Sequence, residues 1–484
     1  MKNRFLKNYI YNVIQIFFNV VFPMIVFPYA SKTLLPINYG KYDFALSFVS
    51  YFAVCANLGI PNYGIRELVK AKLISHDEVK KVMTEIFLIT FFSSVVISII
   101  YLIIIFNNNF LKNDVKLLCI AGIQSYTAFM TIDYFFIAFE NHKRRALRTM
   151  IVKILSLIFM FVLIKGPDDY IKFMLVILLP QVLLKIIDVL YVKKLFCLTN
   201  LNLRRHFKSI FLLFIVTLTT VVFSNFDVTL IGFSLGTKDV GIYSVGIKLT
   251  KMMIPLISAL GIVLGPYIIE NISSKNDKQL NQISKIYYNF LFFVAIPTVF
   301  FVFYFAKEII LLVSGPSYIE ASPLIRCSLI LLIFSSLNDF ISSRILIPCS
   351  KEKDIMLSSI LGVATSVSLS LFLIKKMGIR GVLVSVVMGE ILIFFYRYFI
   401  LKKLYPEQKI ISINFFKYII ISIILVLVLQ FLKDKEIVYN FERFNLLITF
   451  LLTGMGYLLG VIILRDELSR KFFHRFKNSR KNKI

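Results

Sequence analysis

Apolar and polar positions along this chain fall in long blocks. Apolar runs of roughly 17–27 residues, each long enough for a helix to cross hydrocarbon, lie at 9–30, 42–64, 83–106, 115–139, 149–165, 171–192, 210–234, 240–268, 286–306, 322–348, 355–374, 379–400, 414–432 and 444–464. That pattern predicts about fourteen spans. The separators are short. Gly166-Pro167-Asp168-Asp169 alone divides the fifth run from the sixth, and a short amphipathic piece stands between 306 and 322. The polar stretches 66–81, 193–209 and 269–285 have the composition of amphipathic surface linkers. Pro23, Pro28, Pro255, Pro266, Pro297 and Pro348 predict kinks in the helices that carry them. The first run is long enough to span and has no small-residue cleavage site after it, so it predicts a retained helix.

The stretch from Pro28 to Glu67 is the most strongly punctuated. A Pro-rich loop leads to the turn Tyr39-Gly40-Lys41-Tyr42-Asp43, and the next run exits through Leu58-Gly59-Ile60 into Arg66 and Glu67. A degenerate copy follows about 200 residues later: Val240-Gly241-Ile242-Tyr243-Ser244, then Leu260-Gly261-Ile262. Both turns follow odd-numbered runs and so fall on the same side, which makes the repeats parallel, related by an axis along the membrane normal. The expected fold is an all-α polytopic membrane protein of two parallel-repeat six-helix bundles plus two C-terminal helices. The expected boundaries are 1–208 (spans 1–6), 209–400 (spans 7–12), 401–464 (spans 13–14) and a basic tail, 465–484.

Composition supports the pattern. The chain is 58% hydrophobic and 17% charged, with mean hydropathy +0.81, which leaves too little polar surface to coat a soluble core of 484 residues. The net charge of +28 sits in short loops, as the positive-inside rule and attraction to anionic lipid heads require, so nucleic acid is not an expected partner. With the N-terminus inside, roughly 33 Lys and Arg fall inside and roughly 14 outside, so both termini are expected in the cytoplasm. The tail reads as a membrane-surface anchor. With no tryptophan, the interfacial aromatic role falls to the 24 tyrosines. The five cysteines are scattered and indicate neither a disulfide framework nor a metal site.

Ionisable residues inside spans are costly and are functional candidates. Here they are Asp43, Asp133, Lys153, Lys185, Asp188, Asp227, Lys248, Asp339, Arg344, Glu390 and Arg397. Lys153, Lys185 and Arg397 lie close enough to span ends to snorkel or pair structurally, and Lys185 and Asp188 are spaced to neutralise each other. Asp227 and Lys248 sit deeper, on adjacent helices. As a buried pair they either handle an anionic group and a proton or lock two helices together, and the sequence leaves both readings open. Enzyme chemistry has few places to live. His76, His142, His206 and His474 all fall in expected cytoplasmic segments, the loops are short, and no Asp-x-Asp motif, P-loop or Rossmann glycine pattern stands where it could work. No enzymatic activity and no cofactor are expected.

Six stretches carry a family resemblance: FPYASKTLLPINYGKYDFA (27–45), NLGIPNYGIRE (57–67), IDYFFIAFENHKRRALR (132–148), FDVTLIGFSLGTKDVGIYSVGIKL (226–249), RILIPCSKEK (344–353) and GIRGVLVSVVMGE (378–390). In order and spacing the chain resembles the polysaccharide transporter family of the multidrug/oligosaccharidyl-lipid/polysaccharide (MOP) superfamily, the Wzx-type flippases of O-antigen and capsule repeat units. The last two spans carry little of this signal. The resemblance implies a MATE-like fold of two lobes around a cationic cavity. It implies a substrate of a short oligosaccharide on undecaprenyl diphosphate, carried across the bacterial inner membrane by alternating access, with H+ or Na+ as the candidate coupling ion. It also implies anionic lipids as neighbours, and the polysaccharide polymerase and chain-length machinery as partners. At 133–137 the chain departs from the Trp and Gln common in the family, which puts the glycan contacts there in doubt. Candidate diphosphate contacts are Arg66, Lys248 and Arg344. Tyr42, Tyr63 and Tyr243 are candidates to stack on sugars. Asp43, Asp133, Asp227, Asp339 and Glu390 are candidates for coupling or buried ion pairing. A MATE-like drug/cation antiporter and a peptidoglycan lipid-precursor flippase are the rival readings; the first would prefer an acidic cavity.

Overall fold

The computed structural model describes residues 2–197, 201–434 and 443–464. The expected tail, 465–484, lies outside the described residues. Among the described residues every regular element is helical. Eleven helices are long and apolar enough to cross a membrane, or twelve if the pair Val115–Tyr126 and Ala128–Ala138, bent by 41°, is one span. By this measure the expected fourteen is not reached, and two features account for the difference. The first counted helix, Phe17–Ile74, takes in two of the expected apolar runs, and of the last run only the shorter apolar helix Thr449–Ile463 qualifies.

The chain divides into two compact units, Met1–Ser244 with Ile374–Ile379, and Val245–Leu373 with Arg380–Ile484. The first holds α1 (Lys2–Asn57), α2 (Ile60–Ile74), α3 (His76–Asn107), α4 (Asn109–Lys112), α5 (Val115–Ala121), α6 (Ile123–Tyr126), α7 (Asp133–Ala138), α8 (His142–Leu163), α9 (Tyr170–Val192), α10 (Arg204–Ser234) and the first turns of α11 (Thr237–Ser273). Here α1 packs against α3, α8 and α10. The division falls inside α11, where the sequence reading placed it at 208–209, because α10 lies along α1. Helix α1 is broken at Leu35 (φ 61°, ψ 167°). Pro36 follows, and the residue before a proline is driven out of the α region. A second break, with positive φ at both Leu58 and Gly59, separates α1 from α2. As expected, Gly166 and a 3-10 turn at Pro167–Asp169 separate α8 from α9.

The second unit holds the rest of α11, then α12 (Asp277–Tyr304), α13 (Ala306–Val313), α14 (Ser322–Phe340), a π-helical turn (Ile341–Leu346), α15 (Glu352–Met377), α16 (Ile379–Leu404), α17 (Ile413–Asp434) and α18 (Arg443–Ile463). Helix α13 is the short piece expected between 306 and 322. In this unit α12 packs against α14 and α17, and α18 packs along α17. Its core gathers Tyr287, Tyr288, Phe292, Phe340 and Tyr418, with Tyr287 stacked on Phe340 at 3.7 Å.

Candidate functional site

The two glycine segments expected as turns lie inside helices instead, Gly40 in α1 and Gly241 in α11, and they meet in the first unit. A Cβ on Gly40 would stand 1.7 Å from the carbonyl oxygen of Thr237 and 2.8 Å from the nitrogen of Gly241. One on Gly241 would stand 2.0 Å from the carbonyl oxygen of Pro36. Only hydrogen fits at either position, so the second half of α1 and the start of α11 cross backbone to backbone. The contact is reciprocal. The spacing of 201 residues that separates Asp43 from Ser244 also relates Gly40 to Gly241, Pro36 to Thr237, and Leu35 to Gly236, both of positive φ.

Beside this crossing lies a buried polar belt. Asp227 (2% exposed) accepts from the Tyr243 hydroxyl at 2.7 Å and from the Val228 N–H at 2.8 Å. Asp43 (7% exposed) accepts from the Ser244 hydroxyl. The Ser47 hydroxyl donates to the Asn225 carbonyl at 2.8 Å and lies 2.8 Å from that of Thr229, which Tyr51 reaches at 3.1 Å. Tyr42 is buried, its ring 4.6 Å from that of Phe173. Four of the candidate residues, Tyr42, Asp43, Asp227 and Tyr243, thus belong to one neighbourhood. Hydroxyls and a main-chain N–H are among the partners that satisfy these two buried carboxylates.

Tyr63, Arg66 and Asp133 have other surroundings. Tyr63 is 2% exposed, and its hydroxyl lies 2.5 Å from Nδ1 of His206. On its other side His206 Nε2 lies 2.7 Å from Glu85. Glu85 also accepts from the Asn202 N–H at 2.6 Å and from Arg205 at 2.9 and 2.5 Å. This cluster joins α2, α3 and the start of α10. The sequence reading missed it, having placed His206 in a cytoplasmic segment without a role. The Arg66 guanidinium lies over the Tyr63 ring at 5.5 Å and pairs with Glu67 at 3.2 Å. Asp133 pairs with Arg145 at 2.7 Å and with Arg148, which also pairs with Asp188. The spacing of Lys185 and Asp188 therefore misleads: Asp188 is taken by Arg148, and Lys185 reaches Thr127 instead.

In the second unit Lys248 is half-buried on α11. Asp339, Arg344 and Glu390 also belong to this unit, and a fourth charged residue, Arg397, lies within electrostatic range of Asp339 and Glu390. Of the two readings the sequence left for Arg397, snorkelling or structural pairing, its burial fits the second: it is 8% exposed. It donates to the Ser358 and Ser359 hydroxyls and the Asn338 carbonyl at 3.0, 3.1 and 3.1 Å. Glu390 accepts from the Asn338 amide at 2.7 Å and Asp339 from the Ser343 hydroxyl at 3.1 Å. Both carboxylates act on Arg397 at electrostatic range. Arg344 sits in the π-helical turn, its Nε buried with no protein partner. Among the described residues none of the four is in an ion pair. Neutral side chains and a carbonyl hold Asp339, Glu390 and Arg397. A π-turn resets the register of side chains along a helix and is frequent at functional sites, but apolar periodicity does not reveal one.

The sequence model of the polysaccharide biosynthesis protein family matches residues 5–272, more than half of the chain. The chain belongs to this family. Among relatives of this polysaccharide biosynthesis protein, a putative O-antigen transporter of Shigella dysenteriae is 21% identical over 384 residues, 78% of this chain and 94% of that one. Among solved structures, a multidrug resistance MATE family transporter of the MOP superfamily in an inward-facing conformation aligns with TM-score 0.64 at 14% identity, over 82% of this chain and 96% of that one. A Vibrio cholerae MATE transporter aligns with TM-score 0.53 at 14% identity, over 86% and 98%. These likenesses show the fold, which is MATE-like. The polysaccharide family expected from the motifs is the one the family model shows.

Proposed function

We propose that the chain is a flippase that carries undecaprenyl-diphosphate-linked oligosaccharide units across the bacterial inner membrane for O-antigen, capsule or another surface polysaccharide. Its termini lie in the cytoplasm, and transport proceeds by alternating access without covalent catalysis. The observation that carries the reading is the family match over residues 5–272, extended by likeness to a putative O-antigen transporter along nearly all of that protein's length. The physics agrees. A diphosphate bearing a polar glycan cannot cross hydrocarbon alone, and guanidinium groups can replace its hydration. Arg344, with its unspent buried Nε, and Lys248 are the favoured phosphate contacts, and Arg397 joins them. Asp43 and Asp227, together with Asp339 and Glu390, are the favoured places for a coupling H+ or Na+. The partners of Tyr63, Arg66 and Asp133 favour structural roles for them.

The test is accumulation of lipid-linked repeat units in a deletion strain. Undecaprenyl-diphosphate-linked units trapped on the cytoplasmic face, with loss of surface polysaccharide, support the reading and identify the glycan. Unchanged polysaccharide with new sensitivity to cationic drugs replaces it by the antiporter. Trapped peptidoglycan precursor replaces it by the precursor flippase.

A further inference from the structure

A half-enclosed cavity of about 290 Å³ opens in the first unit, beside the glycine crossing. Its polar groups are Lys41, Asp114, Asn113 and Thr237. Lys41 Nζ and Asp114 Oδ1 are 2.8 Å apart, and both side chains are about one-quarter exposed. The remaining wall is apolar. Phe110, 41% exposed, leans on Phe44 and Phe233 at 6.0 and 5.3 Å, and Leu111, Leu117 and Leu118 are nearly fully buried. Gly236 also lines it, at φ 102°, with open space where a Cβ would stand.

These features select an occupant. The volume stands at the low end of small-molecule sites, roughly 300–1,000 Å³, which leaves room for one ring. A purely apolar chain would bury a charged pair against hydrocarbon. A free phosphate would meet a lysine already neutralised by Asp114. A pyranose has what the wall asks for: hydroxyls along an edge, which a carboxylate can accept from and an ammonium or amide can donate to, and a C–H face for an aromatic ring. A methyl substituent, as in a 6-deoxy or N-acetyl sugar, suits the leucine wall. We infer that this cavity binds a single methyl-bearing pyranose residue of the glycan, with Lys41 and Asp114 holding its hydroxyls and Phe110 its apolar face. The inference rests on the reading of the chain as an oligosaccharide carrier. In the proposed orientation the cavity lies on the outer side, so it is a subsite for the emerging glycan.

The chain has no tryptophan, so Phe110→Trp gives the full-length protein one reporter, in the cavity. The probes are free N-acetylglucosamine, a 6-deoxyhexose and glucose. The expected result is a saturable emission change for the two methyl-bearing sugars with Kd on the order of millimolar, binding about fourfold weaker for glucose, the worth of one buried methyl-sized group, and loss of the response on adding Lys41→Met and Asp114→Asn together. Thermal shift of the unlabelled protein with the same sugars repeats the measurement without the reporter. No saturable response in either assay, or an unchanged response in the double variant, overturns the inference. A deletion strain that still traps lipid-linked units after such a failure leaves the flippase reading standing. Sugar binding with no trapped units overturns that reading instead.

Discussion

Gly241→Ala tests the glycine crossing directly. Cβ atoms in folded proteins essentially never approach another heavy atom closer than 3.0 Å, and this one would start 2.0 Å from the Pro36 carbonyl oxygen and 2.8 Å from its carbon. Both obstacles are backbone, so no side-chain rotation relieves them, and the segments must part locally by about 1 Å. Overpacking costs about 1–3 kcal/mol, and a backbone obstacle puts this case at about 3 kcal/mol. Gly40→Ala, aimed at the Thr237 carbonyl from 1.7 Å, should cost about the same. Once one alanine has opened the crossing, the second enters more cheaply, so the double variant should fall short of the sum by about 1 kcal/mol or more. Gly454→Ala, where a Cβ meets nothing within 4 Å, is the control and should cost nothing. The assay is reversible unfolding in mixed micelles, read as a four-member cycle. A Gly241→Ala protein within about 0.5 kcal/mol of the parent, a normal surface-substitution effect, would refute the close approach, and strict additivity would refute its reciprocity.

Glu85→Ala should cost about 3 kcal/mol, because it strands the buried His206, while Arg205, 37% exposed, keeps Glu78; thermal unfolding checks it. Arg148→Gln should be similarly severe, since Asp188 (5% exposed) loses its partner. Arg145→Gln, in the more exposed pair, should cost about 1 kcal/mol or less, and equal losses in the two variants would contradict the assignment. Arg397→Lys keeps the charge but cannot span Ser358, Ser359 and the Asn338 carbonyl, so complementation of the deletion strain should fall about tenfold or more at unchanged membrane level. Lys248→Ala should insert normally and lose transport, while Lys248→Arg retains part of it; normal transport by the alanine variant removes Lys248 from the phosphate contacts.

The spans were legible because a bilayer demands continuous apolar length, a signal each segment carries by itself. The short copy of the Tyr39-Gly40 segment was legible too, and the crossing supplies its physical reason: each glycine is needed by the other. Charge pairing was not legible. Lys185 and Asp188 have the local spacing of a pair, yet Arg148 wins the carboxylate by arriving from another helix with a two-pronged group. His206 has a loop-like polar neighbourhood in sequence and a buried one in space, because Asn202 to His206 folds back onto α3 and Tyr63 closes the far side. Arg397 stands near a span end, where snorkelling is the usual outcome. Only the arrival of Ser358, Ser359 and Asn338 from other helices keeps it inside.

The crossing of Gly40 and Gly241 has the arithmetic of an isologous dimer interface, in which residue i meets j while j meets i. A chain of half this length, pairing with an identical copy, would have met itself at one glycine, and any change there would have struck twice. Within one chain the two glycines are separate positions, so a change at either strikes the crossing once. The contact that shows the internal repeat most clearly is the one where neither glycine has any atom to spare.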